Sequence, residues 1–194
     1  MEKIIAIFAS PNTTEGSRTY ALMQAFVQVY LGMHDDAQVR WVNLNEDKTI
    51  TSQVLNVNNF DAWFSTSYYA DEILKANKLI IGTPVNNFTT STLIRNWFDR
   101  ISLPGKAFKY DEKGNFVPLL TNLKVQILVT KGLPKDPDGE LAIQFLTKGF
   151  KGYGATVNEP ILVDNTNSKT NINLAPADVI APYHDQIIAV ANKF

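Results

Sequence analysis

Three aliphatic runs, KIIAIFA (3–9), KLIIGTP (78–84) and KVQILVT (124–130), dominate the pattern of this chain. Each is apolar at consecutive rather than alternate positions, so a strand made from it must be covered on both faces. Between them lie longer stretches with helical spacing. Leu22, Met23, Phe26, Val27, Tyr30 and Leu31 predict a helix from about Ser17. Leu93, Ile94, Trp97, Phe98 and Ile101 predict another, opening near Ser91 and stopped by Pro104-Gly105. Strands that alternate with helices in this way imply a parallel sheet joined by right-handed crossovers.

The remaining elements are read from weaker signals. QVRWVNL (38–44) is a second strand, and TVNEPILV (156–163) a fifth, with Pro160 placing it at a sheet edge. Phe60, Trp63, Phe64, Ile73 and Leu74 predict one helix from Phe60 to Ala76, and Pro84 is expected to end the third strand. Leu141, Phe145 and Leu146 predict a helix from Gly139 to about Lys151. Ile187, Ile188 and Val190 mark a last helix that Pro182 either starts or kinks. Five strands and five helices make a doubly wound α/β sheet, whose ligands bind outside the carboxyl ends of the strands. At 194 residues, 45% of them apolar, the chain suits a single domain over 1–194.

Composition removes several kinds of chemistry. There is no cysteine, which excludes a disulfide framework, thiolate metal sites and a cysteine nucleophile. The two histidines, His34 and His184, are far apart and lack ligand spacing, which argues against a metal centre. A net charge of −1 argues against nucleic acid or an anionic membrane as the main partner. The apolar run at the amino terminus is too short for a secretory signal, and no run approaches the ~20 apolar residues of a bilayer span. A cytoplasmic location and no membrane insertion are therefore expected.

Three strand-end loops carry candidate chemistry. The first, Ser10 to Thr19, is rich in hydroxyls and amides and ends at a helix amino terminus, a natural seat for phosphate. It holds neither GxGxxG nor GxxxxGK[ST]. Turn chemistry with Ser17 as helix cap explains it equally well, and Arg18 either meets a phosphate or is solvated. The second, Thr83-Pro-Val-Asn-Asn-Phe-Thr-Thr-Ser91, offers two amides and an aromatic wall that capping alone does not explain. In the third, Thr130-Lys131-Gly132-Leu133-Pro134, Gly132 permits close approach to a ligand and Lys131 can bring positive charge to it.

Pro84-Val-Asn-Asn-Phe88, then Ser91-Thr-Leu-Ile-Arg-Asn-Trp-Phe-Asp99, then Phe108-Lys-Tyr110 with Gly114, resemble the FMN-dependent NADH-azoreductases. These belong with the flavodoxin-like NAD(P)H:quinone reductases. The resemblance covers most of the chain and is strongest from about Ile80 to Gly114. It implies a flavodoxin-like five-stranded parallel sheet in the order 2-1-3-4-5. It also implies tightly but non-covalently bound FMN with NADH as co-substrate. Carried over, the FMN phosphate loop falls on Ser10, Ser17, Arg18 and Thr19. The ring-contacting loops fall on Pro84, Val85, Asn86, Asn87 and Phe88 and on Thr130, Lys131 and Gly132. Where the family shows Pro-Met-Tyr-Asn-Phe, this chain has Val85 and Asn86. Where the family shows Ser-Arg-Gly-Gly, it has Thr130-Lys131-Gly132-Leu133. These departures bear on redox potential and substrate preference.

The resemblance further implies ping-pong, two-electron reduction of quinones and aromatic azo compounds by a homodimer. Asn87 and Lys131 are the expected stabilisers of the reduced ring. Phe88, Phe108, Tyr110 and Phe116 are expected around the substrate, the last three in a segment (104–121) that faces the partner subunit. The alternative for that segment is a surface hairpin with locally packed aromatics. No acid or base is assigned, because no histidine lies in the three loops and the cofactor carries the hard step. The rival reading is a flavodoxin-type electron carrier, a binding protein rather than an enzyme. Carriers look strongly acidic, and this chain does not.

Overall fold

The computed structural model describes residues 2–194, so Met1 of the expected 1–194 domain lies outside it. Its first half runs β1 (Glu2–Phe8), α1 (Arg18–Leu31), β2 (Ala37–Asn43), α2 (Lys48–Ser52), α3 (Ala62–Ser65), α4 (Tyr68–Leu74), β3 (Lys78–Asn86), β4 (Thr89–Thr90) and α5 (Thr92–Ile101). The second half adds β5 (Phe108–Tyr110), β6 (Phe116–Pro118), β7 (Lys124–Thr130), α6 (Leu141–Gly152), β8 (Thr156–Val157), β9 (Ile161–Val163), α7 (Pro176–Ile180) and α8 (His184–Ala191).

The sheet runs β2-β1-β3-β7, with β8 and β9 both pairing in parallel with β7 on its far side. This is the expected flavodoxin-like order with the fifth strand in two pieces. Asn158, between them, turns its carboxamide onto Gln126 Oε1 at 2.8 Å and Val190 O at 3.1 Å. Pro160 follows with no N–H for the ladder, so the edge strand breaks there.

Consecutive residues of β1 feed two separate cores. Ile5 and Ile7 pack with Tyr69, Ile73, Trp97 and Ile101, whereas Ile4, Ala6 and Phe8 pack with residues of α1 and α8. This two-sided burial is what the unbroken aliphatic runs require. On the α1 face, a Cβ at Gly82 would lie 2.1 Å from Met23 Sδ, so only glycine lets the helix come this close.

Three expectations are corrected. Pro84 does not end its strand: β3 continues to Asn86, and Pro84 stays in register with Thr130. Strand alternation turns the Pro84 nitrogen toward β1, whose pairing has already ended at the Phe8–Gly82 register, so no ladder bond is lost. The helix expected over 60–76 is broken into α3 and α4, leaving Phe60, Phe64 and Leu74 exposed. Its first part is held by polar groups instead. The fully buried Arg100 donates to Gln53 O, Ala62 O and Thr66 Oγ1. Pro182 neither kinks a helix nor begins one, but lies in the 3-10 turn Ala181–Tyr183 that separates α7 from α8.

Candidate functional site

The loops after β1, β3 and β7 converge at the carboxyl edge of the sheet. They form an open, mainly polar cleft of about 190 Å³. Ser10, Ser17, Arg18 and Thr19 line it from the first loop, Pro84, Val85 and Asn86 from the second, and Thr130 and Gly132 from the third. Nine residues proposed from sequence as cofactor contacts thus share one site.

Local chemistry builds the phosphate end. Ser17 caps α1, its hydroxyl accepting from Tyr20 N at 3.2 Å. The N–H groups of Arg18 and Thr19 stand in the first helical turn, where the helix offers them no carbonyl. Asn12 folds the turn by donating from Nδ2 to Gly16 O at 3.1 Å. The carboxamide of Asn45, in the loop after β2, donates to Ser10 O at 2.6 Å. Buried Thr19 and Thr130 join the first and third loops through their hydroxyls, 2.6 Å apart. Hydroxyls, free amides and a helix dipole on one concave surface fit the dianionic phosphate of FMN.

At the other end, β3 reverses into β4 through the two residues Asn87 and Phe88, with φ of 48° and 67°. Both values are left-handed, the geometry of a two-residue hairpin that usually takes Asn-Gly. A phenylalanine there is strained, and such strain concentrates at functional sites. Behind the hairpin, Ser91 caps α5 and donates to Ala9 O at 2.5 Å, tying the second loop to the end of β1. Asn87 and Phe88 are exposed at the tip and do not line the cleft.

Two expected roles meet different surroundings. Lys131 turns its ammonium away from the cleft lining and onto Glu140 Oε1 at 2.7 Å, with Asp136 at 3.7 Å. The Glu140 carboxylate raises its pKa above the usual lysine value. Its charge is therefore spent within the protein. Gly132 is needed less for a ligand than for Asn167, since a Cβ there would lie 2.4 Å from Asn167 Nδ2.

Phe108, Tyr110 and Phe116 lie on the hairpin β5–β6, with Gly114 at its turn at φ 81°. Phe108 stacks on Phe116 with centroids 4.9 Å apart and on Tyr153 at 5.9 Å, a local aromatic pile outside the cleft lining. Tyr110 and Phe116 remain exposed.

The structure adds Asn12, Gly16, Thr166 and Asn167 to the cleft. The last two follow β9, and the polar run Asp164-Asn-Thr-Asn-Ser168 at that strand end was the available signal. Among the described residues, no helix is long and apolar enough to cross a membrane.

Comparison with known proteins agrees with this architecture. A family model described as flavodoxin-like fold matches residues 2–187. An FMN-dependent NADH:quinone oxidoreductase of Malacoplasma penetrans is 32% identical over 202 residues, covering 100% of this chain and 94% of that protein. One of Mycoplasmoides gallisepticum is 33% identical over 189 residues, covering 94% of each. The solved structure of a Bacillus anthracis azoreductase superposes with a TM-score of 0.79 at 22% identity, covering 100% of both chains. A second Bacillus anthracis structure, an FMN-dependent NADH-azoreductase in complex with FMN, gives 0.75 at 20% identity, with 100% and 99% covered. With its sheet order, its strand-end cleft and its full-length relatives in agreement, this chain belongs to the FMN-dependent NADH:quinone oxidoreductases of the flavodoxin-like fold.

Proposed function

We propose that this protein is an FMN-dependent NADH:quinone oxidoreductase that also reduces aromatic azo compounds. The observation that carries the reading is the convergence of three strand-end loops on one polar cleft beside the α1 amino terminus. Full-length relatives with that activity in their names support it. When bound, FMN supplies the two-electron chemistry that links NADH to the acceptor.

The residues of the chain hold and orient. Ser10, Ser17, Thr19 and the first-turn amides of α1 take the phosphate. Pro84, Val85 and Asn86, which line the cleft, would hold the ring, and the exposed Asn87–Phe88 hairpin stands beside them. The open cleft would leave one face of the bound cofactor for NADH and the acceptor to use in turn. Asn87 remains the candidate for stabilising negative charge on the ring, and Lys131 keeps only a through-space effect, muted by Glu140. The exposed aromatics Phe88, Tyr110 and Phe116 support a homodimer in which the β5–β6 hairpin reaches the partner's substrate pocket. Use of NADH supports a cytoplasmic location. The near-neutral charge favours the enzyme over an electron carrier.

The test is spectroscopic. Purified protein is expected to be yellow, to be bleached by NADH without air, and to regain colour on adding a quinone or an azo dye. Protein that stays colourless after reconstitution with FMN overturns the proposal. Slow bleaching by NADH with fast exchange to a protein acceptor favours the carrier.

A further inference from the structure

We infer that Thr166 and Asn167, in the loop after β9, form a fourth binding loop that donates to the FMN phosphate, with Arg18 as the residue that positions it. This rests on the flavin reading above. Thr166 and Asn167 are supplied neither by the family resemblance nor by the three-loop pattern.

Four observations converge. First, the loop is built onto the third one: Asn165 N, Thr166 N and Asn167 N donate to Leu133 O, Lys131 O and Gly132 O at 2.8, 3.0 and 3.0 Å. The missing Cβ of Gly132 leaves the space that Asn167 fills. Second, Arg18 points its guanidinium at this loop. It donates to Asn167 Oδ1 at 2.7 Å and to Asn171 O and Ile172 O at 3.2 Å each. Its fork is thereby committed to neutral acceptors.

Third, that bond orients the Asn167 carboxamide. With Oδ1 taken by Arg18, the Nδ2 hydrogens of the exposed Asn167 are left as donors to solvent or to a ligand beside the cleft. Fourth, Thr166 is 3% exposed and lines the cleft, yet its hydroxyl makes no hydrogen bond among the described residues. The hydroxyl is not itself enclosed, so it opens onto the cleft, where a ligand can take it in place of water. The 2.7 Å contact with Arg18 sets Asn167 beside the α1 amino terminus, which is the phosphate end of the site. The positive charge of Arg18 then acts on the phosphate through a polarised amide.

FMN and riboflavin, which lacks the phosphate, separate this role from a structural one. In N167D the carboxylate still accepts from Arg18, so the loop keeps its anchor while the donor becomes a repelling acceptor. N167D is expected to bind FMN at least 10-fold more weakly than the parent, with riboflavin affinity changed less than 2-fold. T166V is expected to lose FMN affinity 3- to 10-fold with the same selectivity, magnitudes typical of one lost hydrogen bond to a charged group. R18K, which keeps the charge but cannot span three acceptors, is expected to fall short of rescue, losing FMN preferentially as N167D does. Unchanged FMN binding in both N167D and T166V, or equal loss of FMN and riboflavin, overturns the fourth loop. Failure of the parent protein to bind either flavin overturns the flavin reading itself.

Discussion

The hydroxyls of Thr19 and Thr130 lie 2.6 Å apart, joining residues 111 positions distant in sequence. One stands on the first turn of α1 and the other at the end of β7, so a single buried hydrogen bond sets the spacing of two cofactor loops. Replacing either by valine leaves the other hydroxyl unpaired in a buried place and is expected to cost about 1–2 kcal/mol. Urea denaturation of T19V, T130V and the double variant checks this, with the double expected to lose less than the sum. Additive losses would show that the two groups act separately.

Phe88 holds a left-handed backbone at the tip of the β3–β4 hairpin. Glycine adopts that conformation without strain, so F88G is expected to match or exceed the parent's stability by up to about 1 kcal/mol. Its NADH–quinone turnover should fall several-fold, because the exposed ring is lost. Thermal melts read beside steady-state rates would reveal this opposition; a destabilised F88G with full turnover would contradict it.

The third loop also carries an ion pair. Lys131 and Glu140 form a solvent-shielded pair, but a shallow one under its own loop, which keeps part of the solvent screening. K131M is therefore expected to cost about 2 kcal/mol, below the 3–5 of a deep pair. The folded-state pKa of Lys131 is raised, so its contribution is complete below the ordinary value of 10.5 and is lost as pH rises through the folded value. The stability gap between parent and K131M should hold steady from pH 7 to 10 and narrow only above that.

Glu2 titrates in the opposite direction. Burial alone would raise its pKa, but hydrogen bonds from the Tyr30 hydroxyl, at 2.6 Å, and Lys78, at 3.0 Å, outweigh burial and lower it. Its contribution is complete above the ordinary value of 4.5 and disappears as pH falls through the lower folded value. E2Q should be less stable than the parent by about 1 kcal/mol at pH 7, with the gap closing as pH falls below 4.5 and through the lowered folded value. A constant gap across that range would remove Glu2 from the pH response.

The parts legible in the sequence are those governed by local rules. The doubly buried strands, the Ser17 and Ser91 caps and the strand-end cleft follow from aliphatic runs and hydroxyls at helix starts. The break between α3 and α4 did not show, because it depends on where Arg100 reaches from a helix some 40 residues later. The protein partners of Arg18 and Lys131 are hidden from the sequence for a related reason. A cation in a loop looks free for a ligand until tertiary structure brings Asn167 or Glu140 to it. Thr166 and Asn167 went unread because their strand is short and divided, which hid a fourth strand end with the same polar signature.

The buried Arg100 has a consequence for how the chain assembles. Its acceptors Gln53 O, Ala62 O and Thr66 Oγ1 all lie upstream in a stretch with little apolar anchorage. That stretch cannot settle until α5 has docked on the sheet and carried the guanidinium into place. Residues 53–66 are thus expected to become ordered late in folding, after α5 has docked. Their amide hydrogens are expected to exchange with solvent early when the native state breathes.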